Sequence, residues 1–209
     1  MPGLADARLY AITPDREPEQ IARLVDAVLE GGADIVQLRH KTLARGELYR
    51  LACRLQSLVH DARRLLIVND HLDVALLSGA DGVHLGADDI PVADARRLAP
   101  APFLIGASAG TPETARAAVR AGADYIGCGP TFSTPVKSAK APIGPQGVSR
   151  VVAAVPGTPV FAIGGIDAGN VQLLAAAGIG RACVIRGLAD AGDAAAAARA
   201  IRGTLEAVA

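Results

Sequence analysis

Polar side chains that suit phosphate and metal chemistry follow several short apolar runs of this chain. The run LLIV at 65–68 ends in Asn69 and Asp70, and a later run, GVHLG, leads into Asp89. Carboxylate and amide oxygens are the ligands that magnesium prefers, usually together with water and phosphate oxygens. The other interpretation is that these residues cap the helices that follow them, as Asn and Asp often do.

A basic cluster lies at the end of another apolar run. In QLRHK, the side chains of Gln37, Arg39 and Lys41 fall on one side of an extended chain, because side chains alternate along a strand. Arginine offers a planar fork of donors and lysine a point charge, and both suit phosphate oxygens. A solvated strand end with surface cations is the alternative. The cations and carboxylates together favour a site for magnesium and a polyphosphate, with Asp70 and Asp89 as metal ligands.

Glycines end the last long apolar runs, AIGGI and VIRG. Backbone N–H groups at such glycines can cradle a phosphate, although a tight turn also needs glycine. Ser108 ends the run LIGAS, and Lys137 lies in the long segment GPTFSTPVKSAKAPIG at 129–144. Segments of this length are typical of lids and binding loops. We therefore predict two anion sites, with Lys137 placed to close over both.

The elements that must position these side chains alternate between apolar runs and helical patterns. The apolar runs are RLYAIT (8–13), DIVQLRH (34–40), LLIVND (65–70), GVHLG (82–86), FLIGAS (103–108), YIGCG (125–129), PVFAIGG (159–165) and RACVIRG (181–187). They lack strict alternation, as expected for parallel strands that are buried on both faces. We predict an α/β fold, a single (β/α)8 TIM barrel over residues 1–209, rather than a doubly wound eight-stranded sheet. Active sites of such barrels lie at the C-terminal ends of the strands, where the polar residues fall.

Local signals mark several helix boundaries. The pattern TPETARAAVRAG opens with Thr111 as the expected N-cap and Pro112 at the first helical position. The segments GGAD, SGAD and AGAD recur at predicted helix-to-strand junctions, where glycine suits a left-handed helix C-cap. These repeats indicate repeated βα units and are given no functional role.

Composition excludes several classes of function. The 21 basic and 21 acidic residues balance, and only 3% of residues are aromatic, so neither nucleic acid nor an anionic membrane is an expected partner. Cys53, Cys128 and Cys183 show neither disulfide nor zinc spacing and are interpreted as small core residues in a reducing compartment. No signal peptide and no membrane-spanning stretch is recognised, so we expect a cytoplasmic protein, with a homo-oligomer compatible with the sequence.

The segments VQLRHK, VNDHLDVA, DGVHLGADD, LIGAS, DYIGCGPTFSTPVK, FAIGGI and VIRGL, in this order, resemble the thiamine phosphate synthase family. This family also includes the TenI-like thiazole tautomerases. The resemblance covers nearly the whole chain and implies a transferase of alkyl or aryl groups other than methyl. Such an enzyme uses Mg²⁺ to join 4-amino-2-methyl-5-hydroxymethylpyrimidine diphosphate to a (carboxy)thiazole phosphate, releasing pyrophosphate and giving thiamine phosphate. The departure of pyrophosphate is thought to leave a pyrimidine cation that the thiazole nitrogen captures.

The resemblance also implies roles for individual residues. Those expected to bind the substrates are Gln37, Arg39, Lys41, Asn69, Ser108, Thr134, Lys137, Gly165, Ile185 and Arg186. Of these, Arg39, Ser108 and Lys137 are also expected to act in catalysis. Asp70 and Asp89 match the magnesium ligands, and Thr134, Gly165, Ile185 and Arg186 match the side that faces the thiazole phosphate.

Three positions depart from the family pattern. His40 stands where the family usually has Glu or Asp, His71 where it has Arg, and Gly110 where it has His. In the tautomerase branch the histidine at that last place looks catalytic, so Gly110 counts against tautomerase activity. The synthase is favoured by the intact set Arg39, Lys41, Asn69, Asp70, Asp89 and Lys137. A TenI-like tautomerase, a non-catalytic regulator that binds thiazole phosphate, and an aldolase with Lys137 as nucleophile stay open as alternatives.

Overall fold

The fold is a closed barrel of parallel strands. A computed structural model describes residues 3–134 and 141–208. The strands are β1 (Leu9–Ile12), β2 (Ile35–Leu38), β3 (Leu65–Asn69), β4 (Gly82–Leu85), β5 (Leu104–Ser108), β6 (Tyr125–Cys128), β7 (Val160–Ile163) and β8 (Ala182–Val184). Each strand pairs in parallel with the next, and β8 pairs with β1. The predicted (β/α)8 barrel is confirmed and the doubly wound sheet is wrong, because this sheet has no free edge.

Helices connect the strands around the outside of the barrel. They are α1 (Pro18–Glu30), α2 (Arg45–Asp61), α3 (Leu72–Ser78), α4 (Val92–Leu98), α5 (Pro112–Arg120), α6 (Gly144–Ala154), α7 (Val171–Ala175), α8 (Arg186–Ala189) and α9 (Ala194–Glu206). The predicted cap of α5 is confirmed, since the Thr111 side chain accepts a hydrogen bond from the Thr114 N–H. The helix α6 was not predicted, because its first turn contains glycine and proline rather than a recognisable apolar period. None of the helices in the described ranges is long and apolar enough to cross a membrane.

Alternation along the strands separates an inner from an outer core. In β1, Leu9 and Ala11 belong to the layer between the sheet and the helices, whereas Tyr10 points into the barrel. The Tyr10 ring meets the rings of Tyr125 and Phe161 edge to face, with centroids 5.8 and 5.5 Å away. The two tyrosine oxygens are 2.9 Å apart. These side chains pack in the lumen, and the large cavity lies beyond them at the C-terminal ends of the strands.

The repeated Gly-Ala-Asp segments hold the opposite end of the barrel together. The Oδ2 atom of Asp34 accepts hydrogen bonds from the Arg8 and Leu9 N–H groups at 2.9 and 3.1 Å. Asp81 and Asp124 make the same kind of contact to the start of the preceding strand, at 2.7 Å each. Gly32, Gly79 and Gly122 in these segments have positive φ values, and each lies at a helix C-cap or one residue beyond it. The repeat is therefore structural: each aspartate satisfies backbone donors where two strands begin.

Candidate active site

A cavity of about 890 Å³ opens at the C-terminal ends of the strands. Its lining includes most of the residues that the sequence singles out: Gln37, Arg39, Lys41, Asn69, Asp70, Asp89, Ser108, Thr134, Gly165, Ile185 and Arg186. Lys137 lies outside the described residues. The parallel register explains this gathering, since all strands end at the same rim.

The cations of QLRHK occupy one side of the cavity. Gln37 is buried in β2, and its amide donates a hydrogen bond to the Tyr10 hydroxyl at 2.7 Å. Arg39 follows on the same side of the chain, and its guanidinium donates to Asp15 at 3.2 Å. The Lys41 ammonium donates to Asp70 Oδ2 at 2.5 Å. The side chains of Arg39 and Lys41 are therefore held by acidic partners at the cavity rim.

The backbone turns sharply at the end of β3. Asp70 adopts a φ of +62°, a left-handed conformation that residues other than glycine rarely adopt. Its N–H is retained in a hydrogen bond to the His84 carbonyl at 2.9 Å. Strain of this kind persists where the surrounding structure holds it, and it is frequent at functional sites. Here the turn accompanies a carboxylate that lines the cavity.

The helix-capping interpretation of the acidic residues is wrong. His71 is the N-cap of α3 and Pro91 is the N-cap of α4, and neither helix has a side-chain capping bond. Asp89 instead accepts a hydrogen bond from the Gly86 N–H at 2.7 Å, which fixes the loop after β4. The carboxylates of Asp70 and Asp89 therefore remain available to the cavity.

The carboxylates of Asp70 and Asp89 interact at the cavity rim, and their pKa values shift in opposite directions. Burial raises the pKa of Asp89, and the neighbouring charge of Asp70 raises it further, despite the hydrogen bond from Gly86. Burial also opposes ionisation of Asp70, but hydrogen bonds from Lys41 and from Asp89 hold the pKa of Asp70 below its ordinary value. Two carboxylates in contact repel when both are ionised, and a cation between them removes that repulsion.

The donor set around this pair is small. Among the described residues, no group of three or more His, Cys, Asp or Glu side chains is arranged to hold a metal ion. A site with two carboxylates does not suit a metal that needs an all-protein cage. It does fit magnesium, which is commonly held by one or two carboxylates while water and phosphate oxygens fill the other positions.

Ser108 is held by a histidine to which the sequence analysis assigned no role. The side chain of His84 in β4 is buried, and its Nε2 atom lies 3.0 Å from Ser108 Oγ. The imidazole also packs against Tyr125, with ring centroids 5.6 Å apart. His84 lines the cavity, whereas the described lining contains neither His40 nor His71. Strand alternation was the available signal, because His84 and Gly86 share the inward face of the run GVHLG.

Glycines form the opposite wall of the cavity. Gly165 has a φ of +66°, and a Cβ atom there would lie 2.6 Å from the Ser133 carbonyl oxygen. Phe132 donates its N–H to the Gly164 carbonyl at 2.9 Å, which holds the loop after β6 against this turn. Arg186 begins α8, where the first N–H groups of a helix have no partner within it. The glycines of this wall therefore expose backbone to a ligand, next to the side chains of Ile185 and Arg186.

Comparisons with known proteins match nearly the whole chain to one family of enzymes. The family model described as "Thiamine monophosphate synthase" matches residues 9–188. The chain is similar to the thiamine-phosphate synthase of Methanoculleus marisnigri, 45% identical over 200 residues that cover 93% of each chain. A thiamine-phosphate synthase of Methanoregula boonei is 46% identical over 200 residues, 93% of this chain and 91% of the relative.

A solved structure shares both the fold and much of the sequence. It is described as thiamine phosphate pyrophosphorylase from Pyrococcus furiosus, with a TM-score of 0.89 and 36% identity. The alignment covers 99% of each chain.

Proposed function

The chain belongs to the thiamine monophosphate synthase family, and we propose that Asp70 and Asp89 hold a magnesium ion in its active site. The chain functions as a thiamine phosphate synthase, a transferase of thiamine biosynthesis. Its substrates are then a pyrimidine diphosphate and a thiazole phosphate, and its products are thiamine phosphate and pyrophosphate.

One observation carries the assignment of substrates to the two sides of the cavity. Arg39 and Lys41 lie with Asp70 and Asp89 on one side, while Gly165 and its neighbours present backbone on the other. A diphosphate needs several positive charges, whereas a single phosphate can be held by backbone N–H groups. We therefore place the diphosphate beside β2 to β4 and the thiazole phosphate beside β7 and β8.

The carboxylate pair supports magnesium rather than a structural metal. Asp70 and Asp89 supply two oxygen ligands, and diphosphate and water would complete the coordination. The raised pKa of Asp89 reflects burial and the charge of Asp70, and a bound cation would favour the ionised form of both groups. When bound, magnesium would supply positive charge to the departing pyrophosphate.

The residues of the chain act in this reaction by orienting the substrates and stabilising charge. Negative charge grows on the leaving pyrophosphate as the bond to the pyrimidine breaks, and Arg39 and Lys41 are placed to stabilise it. Ser108, held 3.0 Å from His84 Nε2, is placed to contact the same group through its hydroxyl. Thr134, Ile185 and Arg186 would orient the thiazole phosphate so that its ring nitrogen faces the pyrimidine carbon. Lys137 keeps its proposed role as a further diphosphate contact.

The cellular location and the oligomeric state are also proposals. All three cysteines are free thiols, which supports a reducing, cytoplasmic location. A homo-oligomer stays compatible with the sequence. At Gly110 the cavity wall has no imidazole, which favours the synthase over a thiazole tautomerase.

The test of the function is pyrophosphate release from the two substrates together and from each alone. We expect release only when both are present, with thiamine phosphate formed in equal amount. Conversion of the thiazole tautomer in EDTA, without pyrophosphate release, would indicate a tautomerase. Tight binding of thiazole phosphate with neither reaction would indicate a regulator.

A further inference from the structure

Two loops next to the diphosphate side are joined by a carboxylate that does not line the cavity. Asp15, in the loop after β1, accepts a hydrogen bond from the Lys41 N–H through Oδ1 at 2.5 Å. Its Oδ2 atom accepts from the Arg39 guanidinium at 3.2 Å. One side chain thus fixes the backbone at Lys41 and the direction of the Arg39 side chain.

The charge of Asp15 is maintained by these contacts. Burial alone would raise the pKa of Asp15, but the hydrogen bond from Lys41 and the charge of Arg39 outweigh it. The pKa of Asp15 therefore lies below its ordinary value, and the carboxylate is ionised at neutral pH. At neutral pH, Asp15 therefore carries the negative charge that holds the Arg39 guanidinium and accepts the hydrogen bond from the Lys41 N–H.

His40 fixes the same loop from within. Its side chain is only 7% exposed, and its Nδ1 atom accepts a hydrogen bond from the Leu43 N–H at 3.1 Å. Because Nδ1 accepts, the ring proton lies on Nε2, which donates to the Arg16 carbonyl at 3.1 Å. The imidazole thus holds the loop after β2 against the loop after β1, between the positions of Arg39 and Lys41.

Arg39 and Lys41 have long side chains that lose rotamer freedom when a ligand fixes them. Contacts that order them in advance reduce this loss on binding. We propose that Asp15 and His40 are positioning residues for the diphosphate side of the active site, an inference that rests on the proposed function. They act through Arg39 and Lys41, because neither Asp15 nor His40 belongs to the described lining of the cavity.

The test compares KM for the pyrimidine diphosphate with KM for the thiazole phosphate, and measures the Kd of inorganic pyrophosphate with magnesium by calorimetry. Asp15→Ala should raise the first KM and the pyrophosphate Kd about tenfold or more, a change that corresponds to about 1.4 kcal/mol of lost binding free energy. KM for the thiazole phosphate should stay within about twofold, because Asp15 makes no contact to the glycine wall.

Substitutions at His40 separate its two hydrogen bonds. His40→Asn keeps an acceptor at the place of Nδ1, whereas His40→Gln keeps a donor near the place of Nε2. Because the Leu43 contact shapes the loop that carries Lys41, His40→Asn should retain nearly the wild-type KM for the diphosphate. His40→Gln and His40→Ala should raise that KM. Rescue by Asn alone is a result that a general loss of stability does not produce.

Asp73→Ala is the matched control. Asp73, in α3, forms an ion pair with Arg45 at the start of α2 at 2.8 Å, outside the described cavity lining. Asp73→Ala should leave both KM values within about twofold of those of the wild type. In Asp15→Ala, equal changes in both KM values, or an unchanged KM for the diphosphate, would overturn the positioning role. The proposed function would still stand if the wild type released pyrophosphate. A wild type that neither binds pyrophosphate nor releases it would overturn both.

Discussion

The substitution Gly165→Ala tests the glycine wall, because its cost can be worked out from two features of the structure. The φ of +66° is unfavourable for an L-residue by about 1–2 kcal/mol. The new Cβ would also lie 2.6 Å from the Ser133 carbonyl oxygen and 2.9 Å from Phe132 Cβ, so the loop after β6 must move. Overpacking of this kind costs about 1–3 kcal/mol more.

Gly178→Ala provides a control that isolates the second cost. Gly178 has a φ of +74°, and a Cβ atom there meets nothing within 4 Å. The free energy of unfolding of Gly178→Ala should therefore fall only by the backbone cost of about 1–2 kcal/mol. The free energy of unfolding from urea titration should fall further for Gly165→Ala than for Gly178→Ala, by about 1–3 kcal/mol.

The kinetic comparison decides whether the wall binds the thiazole phosphate. Gly165→Ala should raise KM for that substrate about tenfold or more, because the methyl group displaces the loop after β6 that packs against this turn and so distorts the backbone that would hold the phosphate. KM for the diphosphate should change little, and Gly178→Ala should leave both constants unchanged. Equal stability losses in the two variants would refute the predicted clash. An unchanged KM for the thiazole phosphate in Gly165→Ala would refute the cradle.

Three further predictions follow from the contacts. Asp34→Ala should lower the free energy of unfolding by about 2–5 kcal/mol in urea titration, because it removes the acceptor of the Arg8 and Leu9 N–H groups and an ion-pair partner of the half-buried Arg64 and Arg202; a loss under about 1 kcal/mol would contradict this role of Asp34. Because burial and Asp70 raise the pKa of Asp89, the folded state binds that proton more tightly than the unfolded chain, and the associated stability is lost as the pH rises through the raised pKa. Magnesium should therefore raise the melting temperature at neutral pH and have little effect at about pH 3, and an equal effect at both would contradict this sign. His84→Ala should lower kcat about tenfold, as an effect on Ser108 orientation, and a wild-type kcat in a folded variant would exclude that role.

The barrel could be predicted from the sequence because its signals are local and repeated. Each strand is a short apolar run and each Gly-Ala-Asp segment marks a helix end, so the order of elements follows from the pattern. The helix α6 was not predicted because Gly144 and Pro145 begin it and its apolar face is short. The structure around it, rather than propensity, stabilises this helix.

The residues of the cavity lining could be predicted where they lie at the ends of strands. Gln37, Arg39 and Asp70 follow apolar runs, and parallel strands bring those ends to one rim. Asp15 carried the same signal after the run RLYAIT but was not singled out, since its partners are 24 and 26 residues away in sequence. The distinction between capping and cavity-facing carboxylates also depends on backbone geometry, namely the positive φ of Asp70, which composition does not encode.

The most direct test of the account is the magnesium dependence of pyrophosphate release in wild type, Asp70→Asn, Asp89→Asn and Asp88→Asn. Asp88 is the neighbouring carboxylate; it is exposed but also lines the cavity, so it serves as the matched control for the loss of one negative charge at the same rim. We predict that wild type and Asp88→Asn turn over only with magnesium, and that Asp70→Asn and Asp89→Asn lose at least about a hundredfold in kcat/KM while remaining folded. Full wild-type turnover in EDTA, or undiminished magnesium-dependent turnover by Asp70→Asn and Asp89→Asn, would contradict the assignment of this pair as the metal site.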